Sequence, residues 1–469
     1  MTFSNHLFAQ LLKSAFGIGP WQLLPYIVVA LLATIFSLRV AISILQRRSI
    51  RTPAYSLIDA SSLRTALEEL RTELATLANQ SPPNAVRIVD QLLSTSMLLE
   101  ASDVHLSPLS RELQVSIRVN GSLYNACALP PEASSLVSNR VKILANLDVQ
   151  ARHAPQDGRL VTVLSGRTLE ARVSTLPTEG GERIVLRLVQ GARSIPGLSG
   201  LGFSRENGEK FAALLSRPQG VIFVTGPVGS GKSTTLYSAL SQIAQTRGDT
   251  TTIVSLEDPI ELKLPFATQT QINQQTGLTF ATVLRSALRQ DPNVLMVGEI
   301  RDRETAEIAM QAGLTGHLLL TTIHADDALG PFARLMEMGI EPFVLANSVS
   351  GSLSQRLVRT LCPHCRKVSV PSAQTVERFT SLGVNLTKGD YFEPVGCDHC
   401  DALGYVGRTM ISELLVVDKT LRQDLHDNLP ISTLRANATL RGMVPLVEDG
   451  IRRAKLAETS LSEVLRVVG

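Results

Sequence analysis

The stretch Gly226-Pro227-Val228-Gly229-Ser230-Gly231-Lys232-Ser233-Thr234 decides the fold. It fits G-x-x-x-x-G-K-[ST], and its surroundings are those a phosphate-binding loop requires. Val221–Val224 before it reads as a buried strand, and Thr234–Gln245 after it reads as a helix. Glycines let the backbone curl until its N–H groups point at the β- and γ-phosphates. The helix N-terminus adds its own positive end. Lys232 then suits the terminal phosphates, and the Ser233 hydroxyl suits a Mg²⁺ position. A chance glycine-rich turn would lack the flanking strand and helix. The nine residues are the expected site of a nucleoside triphosphate.

Outward from this loop, residues 203–360 alternate between strand-like and helical patterns. Thr252–Leu256, Val294–Val297, Leu318–Ile323 and, more weakly, Gln269–Ile272 join Val221–Thr225 as strands. Several end on polar groups, as expected of a parallel α/β sheet with its chemistry at the carboxyl ends of strands. Thr252–Leu256 runs into Glu257, Asp258 and Glu261. Val294–Val297 runs into Gly298 and Glu299, then Arg301 and Asp302. Leu318–Ile323 lies between His317 and His324. Hydrolysis of a triphosphate needs carboxylates for Mg²⁺ and for the attacking water, and donors for the γ-phosphate. These groups supply both. One departure is that the second acidic motif ends in Gly-Glu rather than in Asp. A single acid after a strand is usually a solvated turn residue. Several of them following one phosphate loop favour a site.

Four of the five cysteines form two C-x-x-C pairs, Cys362/Cys365 and Cys397/Cys400; the fifth is Cys127. In a chain that meets ATP in the cytoplasm, paired thiols read as a metal site before they read as disulfides. Four thiolates from two turns make a closed tetrahedral Zn²⁺ site that cross-links a small lobe. His364 and His399 fall outside the ligand set. Lys and Arg number 45 against 42 Asp and Glu, a net charge of +3, and only 4% of residues are aromatic. That balance argues against a broad nucleic-acid face.

The N-terminal part differs in character. Trp21–Leu45 is apolar and long enough to cross a bilayer. Arg39 interrupts it near one end, and Arg47, Arg48 and Arg51 lie just beyond it. The positive-inside bias places the C-terminal side of this span in the cytoplasm. A buried or self-associating amphipathic helix is the competing reading. Leu63, Leu67, Leu70, Leu74 and Leu77 repeat at helical spacing, as a short coiled coil or as ordinary packing. Asn84 caps a helix to about Glu100. From Asp103 to Val189 short β-rich runs surround a helix at Leu136–Leu147, with turns expected at Asn120-Gly121 and Asp157-Gly158.

The whole set resembles the secretion ATPases of type II secretion and type IV pilus assembly. Leu256–Glu261 is similar to that family's aspartate box. Leu288–Asn293 with Val297–Asp302 is similar to its second nucleotide motif, and Thr315–His317 through Thr321–His324 to its histidine box. Ala101–His105, Ala154–Arg159 and Arg172–Pro177 resemble the domain before the motor, and Gln355–Cys362 matches downstream. The resemblance implies an α/β fold: a RecA-like P-loop domain after a mixed α/β, PAS-like domain. The expected order is a tail (1–20), a transmembrane helix (21–46), and a linker with a helical segment (47–83). The α/β domain (84–190), a linker (191–202) and the ATPase core (203–360) come next. A tetracysteine zinc lobe (361–405) and a helical C-terminus (406–469) complete it.

It further implies a homo-hexamer using ATP, Mg²⁺ and Zn²⁺ at the inner membrane, with its ATPase domain on the cytoplasmic side. The hexamer would drive a platform protein and, through it, pilin-like subunits, without direct contact to nucleic acid. Glu261, with Glu257 and Asp258 beside it, would polarise the lytic water, and Glu299 would act around Mg²⁺. His317 and His324 would link phosphate state to domain position. Arg172 and Arg187 would reach a nucleotide across domains or subunits, ahead of Arg118, Arg152 and Arg159. In this family the zinc lobe goes with assembly and secretion motors. The membrane span and the short N-terminal region depart from the usual pattern. An ATPase of DNA uptake or conjugation is the alternative, and a zinc scaffold that only binds nucleotide is a third.

Overall fold

The computed structural model describes residues 60–109, 111–119, 121–189 and 195–469. The expected tail, membrane span and first linker residues, 1–59, lie outside these. Among the described residues no helix is long and apolar enough to cross a membrane.

The N-terminal domain opens with α1 (Ala60–Ala78) and α2 (Ala85–Leu98). Asn84 caps α2, its side chain accepting the Arg87 N–H at 3.2 Å. Then come β1 (Asp103–Pro108), β2 (Leu113–Val119), β3 (Ser122–Leu129), α3 (Pro131–Leu144), β4 (Gln156–Leu164), β5 (Arg167–Thr178) and β6 (Gly181–Val189). The six strands form one antiparallel sheet in the order β3-β2-β1-β6-β5-β4. The three helices share a single apolar core with one face of this sheet. The leucine seam of α1 is buried in that core. It therefore belongs to the domain, not to a separate coiled coil or linker. Asp157-Gly158 is not a turn but lies within β4. Glycine is needed there because a Cβ would stand 2.6 Å from the Ala145 carbonyl.

The motor continues the chain with α4 (Arg205–Leu215), β7 (Gly220–Thr225), α5 (Lys232–Arg247), β8 (Ile253–Glu257), β9 (Thr268–Gln271), α6 (Phe280–Ala287), β10 (Val294–Val297), α7 (Arg303–Leu314), β11 (Leu318–Ile323), α8 (Gly330–Glu337), α9 (Pro342–Ser348) and β12 (Val349–Leu361). After β12 the chain makes an excursion through β13 (Lys367–Ser369), α10 (Ala373–Ser381) and β14 (Tyr391–Glu393). It returns as β15 (Tyr405–Val416) and ends in α11 (Lys419–His426), α12 (Ile431–Leu440), α13 (Leu446–Lys455) and α14 (Leu461–Val468).

Seven strands make the motor sheet, ordered β15-β12-β7-β11-β10-β8-β9. Every neighbouring pair is parallel except β12 with β15. Successive residues of β7 enter opposite cores: Val221 and Phe223 on one face, Ile222 and Val224 on the other. That is the two-residue period of a strand buried on both sides. The helical finish expected from residue 406 is corrected here. Tyr405–Val416 is a long strand of the motor sheet, and helices resume only at Lys419.

Candidate active site: a phosphate loop facing acidic strand tips

The phosphate loop comes directly after β7. Gly226, Gly229 and Gly231 have φ of +142°, +78° and +88°, values side chains rarely adopt. At Gly226 a Cβ would also stand 2.5 Å from the Gln355 carbonyl. The loop is clamped from β12 by the buried Gln355 side chain. Its Nε2 donates to the Ser230 carbonyl at 2.6 Å, and its Oε1 accepts from the Thr235 hydroxyl at 2.8 Å. Pro227 and Val228 form the outer edge, with Val228 well exposed. Ser233 is half-buried and Thr234 exposed at the start of α5. Lys232 Nζ donates to the carbonyls of Gly226 and Pro227 at 2.8 and 2.9 Å. Burial lowers its pKa; Glu299 and Glu261 pull it up, and Arg356 adds to the lowering.

Because β7, β11, β10 and β8 are parallel, their carboxyl ends share one edge. Glu299, just past β10, is bracketed there. Arg301 Nη2 bonds its Oε1, and His324 Nε2, just past β11, lies 3.7 Å from its Oε2. Arg301 also approaches Asp258 at 3.9 Å. Glu261 is exposed, and its backbone N–H donates to the Tyr237 hydroxyl at 3.3 Å.

Two expected groups stand elsewhere. Glu257 is buried, and its carboxylate accepts from Tyr237, Ser255 and Gln269 at 2.5, 2.6 and 2.9 Å. It holds Tyr237, and through it the Glu261 backbone. His317 precedes β11, whose six residues span about 20 Å. It sits at the opposite edge of the sheet, its carbonyl accepting from the Gly220 N–H. It cannot touch the phosphate end that His324 faces.

On the other flank of the loop lies a cavity of about 540 Å³. The loop's outer edge at Val228, Leu357 and Arg359 of β12, Arg408 of β15, and Gly121 and Ser122 of the N-terminal domain line it. The Arg359 guanidinium lies 4.1 Å from the Tyr405 ring centre and pairs with Glu463 at 2.7 Å. Neither the clamp nor this cavity was predicted from the sequence. β12 carries serines and Gln355 among its apolar residues, and buried polar groups in a strand give no composition signal.

Arg172 and Arg187 belong to a cross-strand row. Arg118, Asp103, Arg187, Arg172 and Arg159 are successive register partners across β2, β1, β6, β5 and β4. Asp103 pairs with Arg187 at 3.1 Å and Arg118 at 3.6 Å, and Arg159 pairs with Glu170 at 2.6 Å. Arg172 is exposed and makes no ion pair among the described residues. None of these arginines bonds the phosphate loop or the acidic strand tips of its own chain. Arg152 is exposed in the segment before β4.

The four cysteines converge at the root of the excursion. Their sulfurs lie within 4.8 Å of one another, with Cys362–Cys397, Cys365–Cys400 and Cys397–Cys400 at 3.9, 3.7 and 3.8 Å. A tetrahedron of sulfurs at the usual Zn–S bond of about 2.3 Å has edges of about 3.8 Å. Backbone N–H groups of Gly396, Cys397 and Gly404 point at the sulfurs at 3.1–3.3 Å, as suits thiolates.

The family profile described as Type II/IV secretion system protein matches residues 79–466. Type II secretion system protein E of Aeromonas hydrophila is 41% identical over 424 residues, covering 87% of this chain and 83% of its own. Type II secretion system ATPase E of Vibrio cholerae is 39% identical, covering 87% and 80%. The type IV pilus assembly ATPase PilB of Thermus thermophilus is 42% identical over 81% of this chain but 42% of its own. Among solved structures, the Legionella pneumophila ATPase DotB aligns with a TM-score of 0.62 at 21% identity, over 81% of this chain and 95% of its own. The pilus retraction motor PilT, solved with ADP, aligns at 0.57 and 24%, over 81% and 96%. Those two establish likeness of fold. With the phosphate loop and acidic strand tips in place, the chain belongs to the type II/IV secretion system protein family, as one of its ATPases.

Proposed function

We propose that this ATPase is a type II secretion or type IV pilus assembly motor. It would act as a homo-hexamer on the cytoplasmic side of the inner membrane and drive a platform protein there. Pilin-like subunits would be moved indirectly, with no direct nucleic-acid contact. Residues 21–46 would anchor it. The observation that carries the reading is the placement of the phosphate loop, Glu299 and His324 at the carboxyl ends of the neighbouring parallel strands β7, β10 and β11, with His324 3.7 Å from Glu299.

Gly226, Pro227, Val228, Gly229, Ser230 and Gly231 would cradle the phosphates, with Lys232 on the terminal ones. Ser233 and Glu299 suit Mg²⁺, which when bound would neutralise charge between the β- and γ-phosphates. Thr234 opens α5 beside them. Glu261 is free to orient the attacking water, and Asp258 supports Arg301. Glu257 fixes the backbone of Glu261 through Tyr237. His324 contacts the phosphate end through Glu299, and His317 acts outside this site. The nucleoside end fits the cavity on the β12 flank, because the γ-phosphate end points to β11 and β10. A nucleotide there would lie against the N-terminal domain at Gly121 and Ser122, so its arrival or loss would move one domain against the other. The central pairing of β1 with β6 suits a PAS-like sheet. Cys362, Cys365, Cys397 and Cys400 suit zinc.

Arg172 and Arg187 are proposed to reach the nucleotide of a neighbouring copy, since they meet no phosphate-site group of their own. The test is a mixture of Lys232→Ala and Arg172→Ala chains. Each alone should be inactive. Mixed assemblies should regain turnover, because some junctions then combine a wild-type loop with a wild-type arginine. No regain in mixtures that still co-assemble would refute the cross-subunit role.

A further inference from the structure

The loop after β11 carries His324 and continues through Ala325, Asp326, Asp327 and Ala328. It is held from its far side by one buried carboxylate. Glu413, in β15, is 2% exposed. Its Oε1 accepts the Ala328 N–H at 2.9 Å, and its Oε2 accepts the Leu446 N–H, at the start of α13, at 3.1 Å. Arg435 of α12 lies 3.6 Å from the same carboxylate and also pairs with Asp327. The loop's carbonyls are held as well. Thr225 donates to Ala325 at 2.8 Å, and Arg356 and Ser354 donate to Asp326 at 2.8 and 3.2 Å. On the other side of His324, Thr225 also donates to the Ile323 carbonyl at 2.7 Å, so the backbone is held both before and after the histidine that approaches Glu299.

The two-oxygen geometry of a carboxylate side chain meets this demand. Two backbone donors and a cation converge on its two oxygens. An amide in its place turns an NH₂ toward one of the backbone N–H groups and leaves a buried donor without a partner. The consequence lands on the His324 loop or on α13, because no other described side chain caps either N–H.

We propose that Glu413 is a positioning residue for ATP hydrolysis, acting through the His324 loop. This rests on the reading of His324 as a phosphate-site group. The test uses the full assembled chain with Mg²⁺ and ATP, comparing Glu413→Gln, His324→Ala and the double variant. Glu413→Gln should lower kcat about tenfold or more, since small displacements at a reacting centre are costly, with KM for ATP changed less than about twofold. The double variant should be no slower than His324→Ala alone. Multiplied losses in the double variant, an unchanged kcat in folded Glu413→Gln, or a loss confined to KM would each overturn the proposal. An unchanged kcat in His324→Ala would instead sink the reading of His324. If Glu413→Gln does not fold, Arg435→Gln enters the same cycle: a kcat loss absent from the His324→Ala background supports the proposal, and an equal loss there refutes it.

Discussion

Replacing Gln355 by leucine removes the clamp on the phosphate loop while keeping the site filled. Two hydrogen bonds go: Nε2 to the Ser230 carbonyl at 2.6 Å and the Thr235 hydroxyl to Oε1 at 2.8 Å. Gln355 is 1% exposed and Ser230 3%, so water does not replace them. Each buried group left unpaired costs about 1–3 kcal/mol. Thr235 can recover part of its loss by turning to its own helix's carbonyls, which leaves the Ser230 carbonyl as the main debit. About 2 kcal/mol falling on the closed loop corresponds to roughly thirtyfold weaker nucleotide binding. Titration calorimetry with a non-hydrolysable ATP analogue and Mg²⁺ measures this directly. Adding Thr235→Val to Gln355→Leu should cost little more, because the second partner is then removed rather than stranded. Binding within twofold of the parent in a folded Gln355→Leu protein would refute the reasoning.

Glu463 lies on the buried face of α14. Burial pushes its pKa up, but hydrogen bonds from Arg466 and Arg359 outweigh that and hold it at about 2, below the ordinary 4.5. The stabilisation, about 3 kcal/mol, is complete above about pH 4.5 and drains away as pH falls toward 2. Acid should therefore release α14 from β12 over that window. Glu463→Gln should do so at neutral pH, seen as faster amide exchange in residues 461–468. Gly226→Ala, with its Cβ 2.5 Å from a carbonyl at φ +142°, should weaken analogue binding at least about tenfold; normal affinity would count against the loop geometry. Elemental analysis should find one zinc per chain. Chelation should make residues 362–404 protease-sensitive, since the lobe's own apolar contacts are few and its Phe379 and Tyr391 lean on α13 and α14. Unchanged resistance would argue against a structural metal.

The phosphate loop, the parallel strands around it and the cysteine cluster were legible because each rests on local pattern. Glycines at positive φ, continuous apolar runs and fixed ligand spacing need no partner from elsewhere in the chain to be recognised. What escaped depends on long-range pairing. β12 and β15 read poorly because Ser350, Ser352, Ser354, Gln355, Ser412 and Glu413 are polar yet buried, and only the partner strand explains them. The leucine seam of α1 announced a helix but not the sheet it covers. Glu257 and Glu261 look equivalent in sequence; Tyr237, Ser255 and Gln269 separate them in space. His317 and His324 flank one strand, and the strand's length alone puts them at opposite edges. The arginine row emerges only from the register of five strands.

The most direct measurement is phosphate release by the assembled, metal-loaded protein with ATP and Mg²⁺, alongside Lys232→Ala and Glu261→Gln. The structure leads to Mg²⁺-dependent turnover in the parent and loss in both variants, with Glu261→Gln still binding nucleotide and Lys232→Ala binding it poorly. Turnover that survives Glu261→Gln, or that does not require Mg²⁺, would contradict the assignment of hydrolysis to the acidic strand tips facing the phosphate loop.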